Sequence, residues 1–444
     1  MTDERASSRP AGVSARTPQA GEVRVRWAWA EARVWTERML TALEEGVKGG
    51  VWFRLIDKVY ALPNLRTAFA RVKANRGAAG VDQVTVSRYA RDLERNLARL
   101  AEELRTKRYR PQGIRRVWIP KPGKKELRPL GIPTVRDRVM QTALRNVLEP
   151  IFEREFAETS YGFRPKRGRP DALRRVDALL KAGYTWVVDA DLKGYFDSIP
   201  HGALIARVRE RVADGRVLTL IEAFLQQRVL DGLKEWTPEA GTPQGAVISP
   251  LLSNIYLNPL DQHMARSGYE LVRYADDFVV LSRSREEAEG ALAEVQAWTA
   301  QAGLKLHPEK TRIVDATETP FTFLGYCFKL GHHWPSGKSL GRLKETVRAC
   351  TRRSTGESLQ VIVGRLNPLL RGWFEYFKHS RPWWMTELDR WVRSRLRHLL
   401  RKRAKRRGLS KGRENVEWPN AFFAELGLFS LAEARADARQ SPRG

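Results

Sequence analysis

Twice in this chain an apolar run ends on carboxylates. Thr185-Trp186-Val187-Val188 leads into Asp189-Ala190-Asp191, and Leu271-Val272-Arg273-Tyr274 is joined to Phe278-Val279-Val280-Leu281 through Ala275-Asp276-Asp277. Short runs rich in β-branched and aromatic residues read as strands. The second segment is therefore expected to be a hairpin, and period-two alternation in the first puts Asp189 and Asp191 on a shared face. Carboxylates this close repel one another, and removing them from water is costly. A polar turn accounts for one Asp-Asp pair, since Asp is common in turns. Two acidic strand ends in one chain favour a shared cation. Carboxylates from two strands can cage two Mg²⁺ ions, which take oxygen ligands together with substrate phosphates. Two such ions about 4 Å apart serve an in-line phosphoryl displacement.

The charge of the chain points to what would carry those phosphates. Lys plus Arg number 79 against 51 Asp plus Glu, a net +28 over 444 residues. So large an excess implies a polyanionic partner, nucleic acid first and an anionic membrane surface second. The hydrophobic share of 42% is enough for a sizeable core. Only Cys327 and Cys350 are present, which excludes a disulfide framework and a Cys-rich zinc module and fits a reducing cytoplasm. The polar start, Met1 to Gly21, lacks a signal-peptide core, and the longest uncharged run, Ala240 to Leu260, holds three prolines. It reads as a loop entering a helix, and no membrane span is expected.

Helical and strand signals mix without strict alternation, which favours an α+β fold. Leu93, Leu97, Leu100 and Leu104 form one stripe; Arg285 to Ala302 forms another helix, with Ser284 and Glu287 at its start and Gly303 at its stop. Residues 1–20 are expected to be disordered, with a Trp-rich helical stretch behind them. Gly331 to Gly341 marks a boundary, beyond which the reading is all-helical, with Pro368 and Gly372 expected to kink or break the helix around them. From Arg390 to Arg413 half of the residues are Lys or Arg and none is acidic. Solvated charge runs normally mix signs, so this one is expected to face phosphates.

An ordered series of motifs over residues 55–400 resembles the group II intron reverse transcriptases, also called maturases. It runs from Val72-Lys73-Ala74-Asn75-Arg76-Gly77 through Ile119-Pro120-Lys121-Pro122 and Leu127-Arg128-Pro129-Leu130-Gly131-Ile132-Pro133 to Ser160-Tyr161-Gly162-Phe163-Arg164-Pro165. Asp191-Leu192-Lys193-Gly194-Tyr195-Phe196-Asp197, Gly241-Thr242-Pro243-Gln244-Gly245, Tyr274-Ala275-Asp276-Asp277, His307-Pro308-Glu309-Lys310 and Leu370-Arg371-Gly372-Trp373-Phe374 follow.

The resemblance implies a right-hand polymerase: an N-terminal extension over 1–55, fingers and palm over 56–335, a helical thumb or maturase domain over 336–400 and a basic nucleic-acid-binding tail over 401–444. It implies RNA-directed DNA synthesis with two Mg²⁺ ions on Asp191, Asp276 and Asp277. Lys121, Arg128, Leu192, Phe196, Gln244 and Lys310 would serve the dNTP, with Phe196 excluding a 2′-hydroxyl. Arg371, Arg401, Lys402, Arg403, Lys405, Arg406 and Arg407 would contact RNA or DNA. The implied partners are the parent intron RNA, in a ribonucleoprotein that splices and retrohomes, and a DNA target and primer. The implied location is cytoplasmic. Relatives often end in a Cys- and His-containing nuclease domain; residues 414–444 contain no cysteine, and no such domain is expected there. The competing readings are a splicing cofactor that only binds RNA and a domesticated enzyme of phage defence.

Overall fold

The computed structural model describes residues 20–120, 126–352, 354–406 and 412–440. Lys121 and Arg407 lie outside them. Among the described residues, eleven strands build three sheets. β1 (Ile114–Pro120), β2 (Leu127–Ile132), β4 (Val229–Asp231) and β5 (Lys234–Trp236) form the first, in the order β2-β1-β4-β5. The second orders β6 (Glu270–Tyr274), β7 (Asp277–Ser282), β3 (Trp186–Asp191) and β8 (Arg312–Asp315) as β6-β7-β3-β8. β9 (Phe321–Phe323), β10 (Tyr326–Lys329) and β11 (His332–Pro335) form the third.

The second sheet is antiparallel throughout and carries the acidic residues. Its two faces enter two separate cores. Val188, Ala190, Leu271, Phe278 and Val280 join a core with the helices Val135–Glu153, Ser249–Arg266 and Arg285–Gln301. Val187, Val272, Val279 and Leu281 join the other, with the helix Arg169–Lys181, the third sheet and the C-terminal helices. The register sets Val187 opposite Leu281, Asp189 opposite Val279 and Asp191 opposite Asp277. Since directly opposed residues share a face and i, i+2 residues keep it, Asp189, Asp191 and Asp277 all lie on the second face. That is the side towards the C-terminal helices.

The leucine stripe forms the helix Leu93–Arg105, burying Leu97, Leu100 and Leu104. Ser284 caps the helix Arg285–Gln301 by accepting from the Glu287 N–H. The N-terminal tryptophans belong to the first core: Trp35 is fully buried and its indole N–H donates to the Asn146 carbonyl at 3.0 Å.

Two expectations are corrected. Leu359–Phe377 is one continuous helix despite Pro368 and Gly372. An interior proline costs about 3 kcal/mol or more, and the buried stripe Ile362, Val363, Leu366, Leu370, Phe374 and Phe377 outweighs it. The boundary expected at residue 400 falls inside the helix Pro382–Arg403. Residues 413–440 hold three further helices, and Phe423 and Leu431 bury into the same core as Leu396 and Leu399. Asp389, itself buried, accepts from the Leu431 and Ala432 N–H groups and so ties the last helix to Pro382–Arg403.

The third sheet is pinned to the helix Leu359–Phe377 by a reciprocal pair of hydrogen bonds. The Tyr326 hydroxyl donates to the Tyr376 carbonyl and the Tyr376 hydroxyl donates to the Leu324 carbonyl, each at 2.6 Å.

Candidate active site

The pairing of Tyr274 with Asp277 leaves Ala275 and Asp276 as a two-residue turn, as tight as a hairpin allows. Ala275 has φ +62°, a left-handed conformation that an alanine adopts only when its surroundings impose it. Asp276 therefore sits at the tip of the hairpin, Asp277 is the first residue of β7, and Asp191 is the last residue of β3, directly across from it.

Burial, with Asp189, Asp276 and Asp191 gathered around it, pushes the Asp277 carboxyl up to about 7. Asp276 is raised as well, by burial first and by Asp191 among its neighbours. Asp191 is ion-paired with the exposed Lys310 ammonium. Asp189 is raised by burial and takes Arg312 at 3.5 Å, so each of the two β3 carboxylates has a basic partner.

A cleft of about 1250 Å³ opens onto this turn. Asp276, Asp277, Phe196, Gln244 and Arg128 line it, together with Lys338, Arg342 and Trp373. Arg128 donates Nε–H to the Gln244 side-chain Oε1 at 2.9 Å, and Gln244 Nε2–H donates to Asp197 Oδ2 at 3.2 Å. Gly245, at φ +103°, packs where a Cβ would lie 2.5 Å from the Gly131 carbonyl. The loop is thereby held against the strand next to Arg128. Phe196 is half-buried and meets Tyr195 edge-on at 5.5 Å, while the Tyr195 hydroxyl is anchored on the Ser253 carbonyl.

The structure thus brings together Asp191, Asp276, Asp277, Phe196, Gln244, Arg128 and Lys310. Leu192 differs: its side chain is buried in the first core, not in the cleft. Among the C-terminal cations, Arg371 stacks over Phe429 at 4.4 Å. Arg401 is buried and paired with Glu414 at 3.2 Å. Arg406 pairs with Glu417, and Arg403 donates to the Thr355 and Glu357 carbonyls. Lys402 and Lys405 are exposed.

Sequence reasoning missed Lys338 and Arg342. Their i, i+4 spacing at the start of the helix Gly337–Cys350 was the available signal. It also missed the supports behind the turn: fully buried Arg273 donates Nη1–H to the Ala275 carbonyl at 2.9 Å. A cation inside a strand of Leu, Val and Tyr was the clue.

Comparison with known proteins follows this geometry. Residues 119–328 match the family described as reverse transcriptase (RNA-dependent DNA polymerase), and residues 340–417 match the group II intron, maturase-specific domain. The chain is 36% identical to Protein YkfC of Escherichia coli over 57% of its own length and 74% of that protein. It is 37% identical to the group II intron-encoded protein LtrA of Lactococcus lactis over 44% of its own length. That match spans 32% of LtrA. A 91 kDa protein in the cob intron of Schizosaccharomyces pombe is 29% identical over 58% of this chain and 39% of that protein.

The fold and the acidic hairpin are those of a reverse transcriptase, an RNA-directed DNA polymerase. With the maturase domain behind it, the chain belongs to the group II intron reverse transcriptase and maturase family, whose work is intron splicing and mobility. Among the described residues no helix is long and apolar enough to cross a membrane.

Proposed function

We propose that the cleft extends a DNA 3′ end on an RNA template, and that the chain does so bound to a group II intron RNA. The observation that carries this reading is the opposition of Asp191 and Asp277 across two strands with Asp276 at the adjoining turn, Asp276 and Asp277 lining the cleft with Phe196, Gln244 and Arg128.

Reverse transcriptases as a family depend on divalent metal. Among the described residues no three side chains already converge as a preformed metal cluster. The donor set nevertheless fits: it is all oxygen, as Mg²⁺ takes, and Asp277, directly across from Asp191, is raised first by burial and then by the neighbouring Asp189, Asp276 and Asp191 carboxylates. Asp191, Asp276 and Asp277 would hold two such ions. Bound there, they would supply activation of the 3′-hydroxyl and stabilisation of the departing pyrophosphate.

The side chains of the chain do the rest. Arg128 offers a guanidinium suited to phosphate oxygens. Gln244, oriented by Arg128 on one side and Asp197 on the other, presents its amide beside the sugar and base. The Phe196 ring closes the space where a 2′-hydroxyl would stand. Lys310, beside Asp191, is placed to accompany the leaving pyrophosphate. Lys338 and Arg342 face the phosphates of a template–primer duplex from the thumb side. A cytoplasmic site of action is part of this reading, supported by the bacterial origin of YkfC and LtrA.

Asp276→Asn tests it. Primer extension on an RNA template with Mg²⁺ should fall on the order of a thousandfold, as for loss of a main electrostatic contribution to a transition state, while RNA affinity stays at the wild-type value. Near-normal extension by the variant would remove the assignment.

A further inference from the structure

Resting on that reading of the hairpin as the catalytic turn, we infer that Arg273 is a positioning residue: its guanidinium, held by Asp261 and Asn254, sets the peptide plane that carries Asp276 into the cleft.

Arg273 is fully buried in β6, between Val272 and Tyr274. Its Nε and Nη2 engage the two oxygens of Asp261, and Nη1 donates both to Asn254 Oδ1 at 3.0 Å and to the Ala275 carbonyl at 2.9 Å. Asp261 and Asn254 are themselves buried, both on the helix Ser249–Arg266. One side chain thus couples that helix to the hairpin turn. The Ala275 carbonyl and the Asp276 N–H belong to one planar peptide. Holding the oxygen therefore orients the backbone from which the Asp276 side chain leaves.

The preceding peptide plane is fixed from another direction. A Cβ on Gly162 would lie 2.3 Å from the Ala275 nitrogen and 2.8 Å from the Tyr274 carbonyl carbon. The bare backbone at Gly162 is what lets this loop press on the turn. Asn254 reaches the same loop, donating Nδ2–H to the Gly162 carbonyl at 2.8 Å. The backbone of Arg273 closes the circuit: its N–H donates to the Thr159 carbonyl and its own carbonyl accepts from Tyr161. Both peptides that flank Ala275 are consequently clamped, and this explains how a non-glycine residue is kept at φ +62°.

Stability alone does not account for the ion pair. Replacing a buried pair by apolar residues of similar volume is often neutral or stabilising, whereas a fork-shaped guanidinium fixes direction. Here the fork ends on the one carbonyl adjoining a catalytic carboxylate.

The test uses the full chain, with primer extension, dNTP titration and template–primer affinity measured alongside thermal unfolding. Arg273→Met combined with Asp261→Leu removes the fork and its counter-charge together. We expect a folded protein whose kcat drops roughly a hundredfold, the scale of an ångström-sized misplacement, while KM for dNTP and affinity for template–primer stay within about twofold and half-saturating Mg²⁺ rises. A folded double variant with wild-type kcat overturns the inference. Should that variant not fold, Asn254→Ala decides, since it spares the ion pair and cuts the bonds that tie Arg273 and the Gly162 carbonyl to the helix: a drop in kcat at unchanged KM supports positioning, and an unchanged kcat refutes it. Asp276→Asn, run in parallel, separates the failures. If it is active, the catalytic reading falls; if it is inactive while the Arg273 and Asn254 variants are fully active, only the positioning role falls.

Discussion

The palm hairpin and the C-terminal basic helix handle charge in opposite ways. At the hairpin one buried cation is committed through its hydrogen bonds to a single geometry, and the carboxylates in front of it stay crowded together. Along Pro382–Arg403 and the residues after it, many cations are spread over surface. Several are already spent on internal partners: Arg401 on Glu414, Arg406 on Glu417, Arg397 on the Trp418 carbonyl. The first arrangement is brittle and exact in placement; the second is redundant. Charge counted in a sequence therefore says little about charge available to a ligand until the partners are known.

The sharpest way to break this comparison is at Gly162. A methyl group there collides with backbone rather than with a flexible side chain, so Gly162→Ala should shift the turn and cut kcat for dNTP incorporation by about a hundredfold, with RNA binding unaffected. Steady-state kinetics beside a filter-binding assay would show whether the turn is as intolerant as described.

Arg401→Met approaches from the other region. Removing the guanidinium from its buried pair with Glu414 should cost about 3 kcal/mol of stability, read as a lower denaturant midpoint, and RNA affinity of the folded protein should not change. Weakened RNA binding at unchanged stability would return Arg401 to the ligand-facing set.

Phe196→Ala should lower discrimination against ribonucleotides by roughly tenfold or more, the range that steric contacts in a pocket supply, measured as the ratio of dNTP to rNTP incorporation efficiencies. An unchanged ratio would mean that the ring only packs against Tyr195.

The smallest effect belongs to the exposed lysines. Lys402→Gln with Lys405→Gln should weaken RNA binding a few-fold and flatten its salt dependence, by roughly 0.7 of a logarithmic unit per lost contact on single strands. A slope equal to that of the wild type would show that these two cations stay in solvent.

What the sequence disclosed follows the same division. Asp191 and the Asp276–Asp277 turn were legible because apolar runs of strand length ended on them, whereas the β3–β7 pairing that sets Asp191 against Asp277 was not. The helices Leu93–Arg105 and Arg285–Gln301 were legible from their stripes and the Ser284 cap. Long-range partners were not. Arg273 finds Asp261 and Asn254 on a different element, and Arg401 finds Glu414 on a separate helix. Leu192 sits in the nucleotide motif, yet burial decides its side chain. Local rules also failed at Pro368, where packing of one apolar face overrode a residue that ends most helices.

The crossed hydroxyls of Tyr326 and Tyr376 have a mechanical meaning. One bond between two segments leaves a swivel; two bonds running in opposite directions act as a pair of pins, and twisting about either strains the other. The helix Leu359–Phe377 and the strands β9 to β11 must then travel as one rigid jaw.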